Sequence, residues 1–119
     1  MAADLQDPQH NDPYASTQLR VTVREDAELL VVQPRGEIDM AAAPALYDQL
    51  LMATNECSQP VVIDLSGVTF MDSTGLDMMI RTQRLLSSKG LPLRIRNARD
   101  TVRRVFDITG TTALFDLDG

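Results

Sequence analysis

The chain predicts an α/β domain built on a mixed sheet, and three observations carry that prediction. Leu19, Val21 and Val23 alternate with Arg20, Thr22 and Arg24, the two-residue period of a half-exposed strand. Val61-Val62-Ile63-Asp64-Leu65 is an apolar run rich in β-branched residues, which suits a central, parallel strand. Around it, apolar residues recur at spacings of three and four, the period of amphipathic helices. Strands alternating with helices make an α/β domain.

The elements follow in order. Glu25-Asp26 turns the first strand into a second over Leu29–Gln33, a hairpin that adds an antiparallel element. Pro34, which lacks an N–H, is expected to end that ladder, and Gly36-Glu37-Ile38-Asp39 leads out. Ala41–Thr54 is a predicted helix with Ala42, Leu46, Leu50 and Ala53 on one face, and Pro44 fits only its first turn. After the Val61–Leu65 strand, Ser66-Gly67 leads through to Asp72-Ser73-Thr74-Gly75. A second helix is expected over Thr74–Ser88, burying Leu76, Met79, Ile80, Gln83 and Leu86 or Ser87. Thr74 and Asp77 have capping-box spacing, and Lys89-Gly90 suits the helix end. Leu91–Ile95 reads as a fourth strand. A third helix opens at Asn97 with Asp100, buries Val102, Val105 and Phe106, and closes at Gly110. Leu114–Leu117 reads as a short last strand.

Residues 1–18 read instead as a disordered acidic and polar tail, with Asp4, Asp7, Asp12, Pro8 and Pro13 and almost no apolar periodicity. Residues 19–119 are the predicted folded domain, and a chain of 119 residues can build one core without disulfides. The net charge of −6 argues against affinity for nucleic acid or anionic membrane. No stretch is apolar enough to span a bilayer, and no secretory signal opens the chain. Together with a single cysteine, Cys57, this fits a cytoplasmic protein. Arg94, Arg96, Arg99, Arg103 and Arg104 are either the solvated side of a strand and helix or a docking surface for an acidic partner.

Ser73 is the candidate functional residue. It falls at the start of a helix, where unpaired N–H groups and the positive dipole end tolerate an added anion. The alternative is plain helix capping by Asp72, Ser73 or Thr74. His10, the only histidine, falls in the tail, so the usual general base is absent and the hydroxyl reads as something acted upon. Phosphorylation would add about −1.5 to −2 charges there. Asp39, Asp64 and Asp72 fall near strand or loop ends and could hold Mg²⁺, or could form turns and caps. Asp72 could also orient Ser73 or take its proton. Met71 and Met79 read as core, whereas Met78 lies off the stripe and is expected on the surface.

Gly36-Glu37-Ile38-Asp39, Ile63-Asp64-Leu65, Phe70-Met71-Asp72-Ser73-Thr74-Gly75-Leu76 and Val105-Phe106-Asp107-Ile108-Thr109-Gly110 occur in that order. Together they resemble the STAS-domain anti-sigma-factor antagonists of bacteria, over about Leu19 to Leu117. The resemblance implies a mixed sheet with helices packed mainly on one side, and a non-enzymatic partner switch in transcription regulation and stress response. It implies binding to an anti-sigma factor with a histidine-kinase-like ATPase fold, which releases the sigma factor. That partner, carrying its own ATP and Mg²⁺, would phosphorylate Ser73 and let go, and a PP2C-type phosphatase would reverse the modification. The antagonist itself would need no cofactor or metal. By the same match Asp39 and Asp72 would assist recognition or phosphoryl transfer, and Thr74 and Gly75 would lie in the contact. Met78 and Asp77 are placed with them as partner-facing residues. Asp77 departs from the small residue common at its position.

Three other readings compete. One is an accessory STAS subunit of a lipid-transport or stress-sensing complex. Another is a two-component receiver phosphorylated on Asp64, which lacks the acidic pair and lysine that fold requires. The last is an independent enzyme, for which the core offers no nucleophile–base pair and no phosphate-cradling glycine loop.

Overall fold

The computed structural model describes residues 19–115 and 117, so the tail predicted for residues 1–18 lies outside the described residues. β1 (Arg20–Glu25) and β2 (Leu30–Ile38) form the antiparallel hairpin, with Arg20 opposite Arg35 and Glu25 opposite Leu30. Asp26 closes the turn by accepting the N–H groups of Glu28 and Leu29 at 2.8 and 2.9 Å. β3 (Val61–Asp64) pairs with the first half of β2 and with β5 (Leu93–Arg96), both parallel, as a central strand should.

β2 does not stop at Pro34 but runs four residues further, to Ile38. Leu30 donates its N–H to the Pro60 carbonyl on the β3 side, so by alternation the donor that Pro34 lacks would face that same side. There β3 pairs no further than Val32, and β4 (Gly67–Met71) begins its parallel pairing at Arg35. The proline sits in the gap between two partners and costs the ladder nothing. A bulge between Gly36 and Glu37 follows, and Gly36 has φ 118°, a conformation that favours glycine.

β4 corrects the expectation of a plain lead-through after Ser66-Gly67. Parallel neighbours need a long crossover, but β4 does not lie beside β3. Both strands run along β2, one after the other, so a two-residue jog at Leu65-Ser66 joins them.

α1 (Ala43–Thr54), α2 (Ser73–Ser88) and α3 (Asp100–Thr109) cover one face of the sheet. Leu30, Val32, Val61, Ile63, Leu93 and Ile95 point into that layer and are buried with Leu46, Leu50, Leu76, Met79, Leu86 and Phe106. The other face, with Val31, Gln33, Val62, Asp64 and Arg94, stays partly or fully exposed. Met71 and Met79 are core residues, as expected. Lys89 Nζ reaches the carbonyls of Thr54 and Asn55 at 3.3 Å, placing a cation on the C-terminal end of α1.

The predicted last strand is instead a 3₁₀ turn over Thr112–Phe115. Gly110 ends α3 in the left-handed conformation. One aromatic anchor then fixes the chain: buried Phe115 meets Phe106 edge-on, with ring centroids 5.4 Å apart. Leu114 is exposed, and Leu117 is partly buried against the core.

Candidate partner-docking site

Ile38 at the end of β2 and Met71 at the end of β4 are paired, so the residues that follow them, Asp39 and Asp72, emerge together at one edge of the domain. The Asp72 N–H bonds the Ile38 carbonyl at 3.1 Å. Each aspartate then starts a helix. Asp39 Oδ1 accepts the Ala42 N–H at 3.0 Å, and its carbonyl accepts from Ala43 at 2.8 Å, which turns the chain into α1. Of the three candidate caps Asp72, Ser73 and Thr74, Asp72 is the N-cap of α2, so the capping-box spacing of Thr74 and Asp77 is not used, and the Asp72 side chain accepts from the N–H groups of Thr74 at 2.9 Å and Gly75 at 3.3 Å. The Thr74 hydroxyl bonds the same carboxylate oxygen.

That cap changes the picture of Ser73. The N–H groups of Thr74 and Gly75 are not free to cradle an anion, because Asp72 already holds them. Ser73 itself is exposed at the first position of α2, and its hydroxyl has no partner among the described residues. Nor does Asp72 orient it, since the hydrogen bonds of that carboxylate run to Thr74 and Gly75. A phosphoryl group on Ser73 would project outward beside a committed carboxylate. Replacing Asp72 by Ala strands the two backbone donors and is expected to destabilise the domain by about 1 kcal/mol. Urea unfolding should show a lower midpoint with an unchanged slope.

Gly75 lies two positions after Ser73, buried against β2 and β4. Asp77 is exposed and pairs with Arg81 at 3.0 Å. Met78, expected on the surface, is 4% exposed. The reason is that α2 is covered on two flanks: Leu76, Met79 and Leu86 share the sheet-side core, whereas Met78 looks toward α1. Ile80 and Gln83 are only half-buried, and Ser87 is exposed. Met78 forms one wall of a groove of about 300 Å³ between the starts of α1 and α2, with Met40, Pro44, Tyr47, Thr74 and Arg81. Met40 is 72% exposed at its lip. Sequence reasoning missed Met40, Tyr47 and Arg81. Four-residue spacings from Ala43 to Tyr47 and from Asp77 to Arg81 were the available signal.

Asp39, Asp64 and Asp72 do not converge. Among the described residues no group of three His, Cys, Asp or Glu side chains could hold a metal ion. Asp64 sits on the open sheet face and accepts from Gln33 at 3.0 Å, Asn97 at 3.2 Å and the Ser66 N–H at 2.9 Å. Partial burial pushes its carboxyl up, but the donors from Ser66, Gln33 and Asn97 prevail and hold it below the usual carboxylate range. It is a turn-forming residue, not a receiver's phosphoacceptor.

The fold, a mixed sheet covered by helices on one face, has counterparts among known proteins. Residues 18–118 match the model of the STAS domain. The chain belongs to the STAS domain family. A protein of Bacillus subtilis (strain 168) named anti-sigma-B factor antagonist is 31% identical over 99 residues, spanning 83% of this chain and 90% of that protein. The crystal structure of an anti-sigma factor antagonist from Mycobacterium paratuberculosis superposes with a TM-score of 0.73 at 28% identity, covering 85% of this STAS domain and 86% of that chain. SpoIIAA, an anti-sigma factor antagonist solved unphosphorylated and phosphorylated, shares the fold with TM-scores of 0.71 and 0.65. Both comparisons stand at 20% identity and cover 84% of this chain, with 89% and 92% of the respective SpoIIAA chains. No helix among the described residues is long and apolar enough to cross a membrane.

Proposed function

We propose that this STAS domain is a cytoplasmic anti-sigma-factor antagonist that docks its partner around the start of α2 and is released by phosphorylation of Ser73. The observation that carries this reading is the position of the Ser73 hydroxyl, exposed, without a hydrogen-bond partner among the described residues, and one residue before Thr74 in the wall of an apolar groove. The names of the relatives above support the class of partner.

The chemistry divides between two proteins. This chain supplies a nucleophilic oxygen and a contact surface, and it is a substrate, not an enzyme. The partner supplies MgATP and the base. Ser73 Oγ attacks the γ-phosphorus, the bond from that phosphorus to the bridging oxygen breaks, ADP leaves, and the hydroxyl proton passes to the partner's base. A PP2C-type phosphatase returns the hydroxyl by hydrolysis.

Release follows from local charge. Asp39, Asp72 and Asp77 already ring the site, and among the described residues Asp77 is the one of the three that pairs with a cation, Arg81. A phosphoserine adds about −1.5 to −2 charges to this rim, which a docked partner would have to desolvate. The test is incubation with an ATPase-type anti-sigma factor and MgATP, followed by mapping of the modified residue. Acid-stable phosphate on Ser73 alone is the expected result. Stable binding with no phosphorylation, or phosphate confined to another residue, overturns the switch.

A further inference from the structure

Two methionines meet at the groove in opposite states. Met78 is buried in its wall, whereas Met40 stands open at its lip. Met40 gives nothing to the core, being absent from the buried cluster and from the half-buried residues packed against it. Its backbone is nonetheless held. The Asp39 carboxylate and carbonyl accept the N–H groups of Ala42 and Ala43 and close the turn that carries it. An unbranched thioether on a fixed turn, beside Pro44 and Tyr47, suits an adaptable apolar contact.

The same exposure opens its sulfur to chemistry. A thioether reacts with two-electron oxidants such as hydrogen peroxide, and a buried one is shielded from them. Among the described residues Met40 and Met52 are 72% and 78% exposed, whereas Met71, Met78 and Met79 are at most 4% exposed. Met52 lies on α1 but outside the groove. Two methionines are therefore equally open to oxidant, and one of them touches the docking site.

We propose that Met40 is an oxidation site, converted by peroxide to the sulfoxide, and that this weakens docking at the groove without phosphorylation of Ser73. The inference rests on the docking site proposed above. The Met40 sulfur attacks one peroxide oxygen, the O–O bond breaks, and that oxygen stays on sulfur as the sulfoxide. The other leaves as water with both hydrogens. The sulfur loses two electrons and the peroxide gains them. The lip turns polar, and a partner that covers it must strip water from the sulfoxide. Methionine sulfoxide reductase restores the thioether.

The test uses the full chain with Cys57→Ser, which removes the competing thiol. It is treated with hydrogen peroxide, cleared with catalase and titrated with an untreated ATPase-type anti-sigma factor. Mass spectrometry should find an added oxygen on Met40 and Met52 before any on Met71, Met78 or Met79. Affinity should fall about tenfold at an unchanged melting temperature, and the reductase should restore it. Met52→Leu should lose as much on treatment, whereas Met40→Leu should match its own untreated sample. Met40→Gln, a polar side chain of similar length, should bind weakly with no oxidant present. Affinity that survives full oxidation of Met40, an equal loss in Met40→Leu, or a loss that follows a drop in melting temperature overturns the inference and leaves the docking site standing. An untreated chain that binds no such factor overturns the docking site, and the inference falls with it.

Discussion

Ser73→Ala is expected to bind an anti-sigma partner as well as the unmodified chain and to resist the kinase, whereas Ser73→Glu should bind at least tenfold more weakly. The first half follows from the fold. The hydroxyl is exposed and bonds nothing among the described residues, so its removal should change stability by less than about 0.5 kcal/mol. The second half follows from charge. A carboxylate at the first position of α2 faces the positive end of the helix dipole, which favours it by about 0.3–1 kcal/mol. It also joins Asp39, Asp72 and Asp77 on a surface the partner must cover. A desolvation and repulsion penalty of about 1.4 kcal/mol is tenfold in affinity. The two effects therefore have opposite signs, with thermal stability held or slightly raised and binding lost. Calorimetric titration together with a melting curve separates them. Equal affinity for Ala, Glu and the unmodified chain would remove charge from the release mechanism. Loss of binding by the Ala variant would instead make the hydroxyl a contact.

Where local pattern and tertiary pairing agree, the fold is legible in the sequence. The alternation from Leu19, the β-branched run at Val61 and the helical stripes each report a burial that the structure contains. Elements were missed where the partner, not the pattern, decides. Gly67–Met71 becomes a strand only because β2 outruns β3 and offers a second length of edge. Pro34 is harmless only because neither parallel partner needs its donor. Leu114 and Phe115, read as strand, end a 3₁₀ turn that Phe115 anchors against Phe106. The site divides in the same way. Asp72-Ser73-Thr74-Gly75 shows as a hydroxyl pair at a helix start in one dimension, although the cap belongs to Asp72, not Thr74. Met78 and the groove depend on how α1 crosses α2, and no single-helix periodicity encodes that crossing.

Gly75→Ala should destabilise the domain, reversing the usual sign of that exchange. Inside an unobstructed helix, alanine is favoured over glycine by about 1 kcal/mol. Here the added Cβ would lie 2.7 Å from Ile38 Cγ2, 2.7 Å from Met71 Cγ and 3.3 Å from the Ile38 carbonyl oxygen. The Met71 side chain can bend away, but Ile38 is fully buried, and its carbonyl holds the Asp72 N–H at 3.1 Å. Relief must come from lifting the first turn of α2 off the sheet, which strains the Asp72 cap and shifts Ser73 relative to the groove. Overpacking of this kind costs about 1–3 kcal/mol. The melting temperature should drop by about 4–8 °C for each kcal/mol in a domain of this size. The affinity for the partner should fall with it, because the contact surface moves with the helix start. Gly90→Ala is a poor control, since the φ of 74° at Gly90 is strained for any side chain. Ser87→Ala, at an exposed site on the same helix, isolates helix propensity and should be neutral or slightly stabilising. A Gly75→Ala variant that melts at or above the parent temperature would mean that β2 and β4 leave room beneath α2, and the close approach that positions Ser73 would lose its basis.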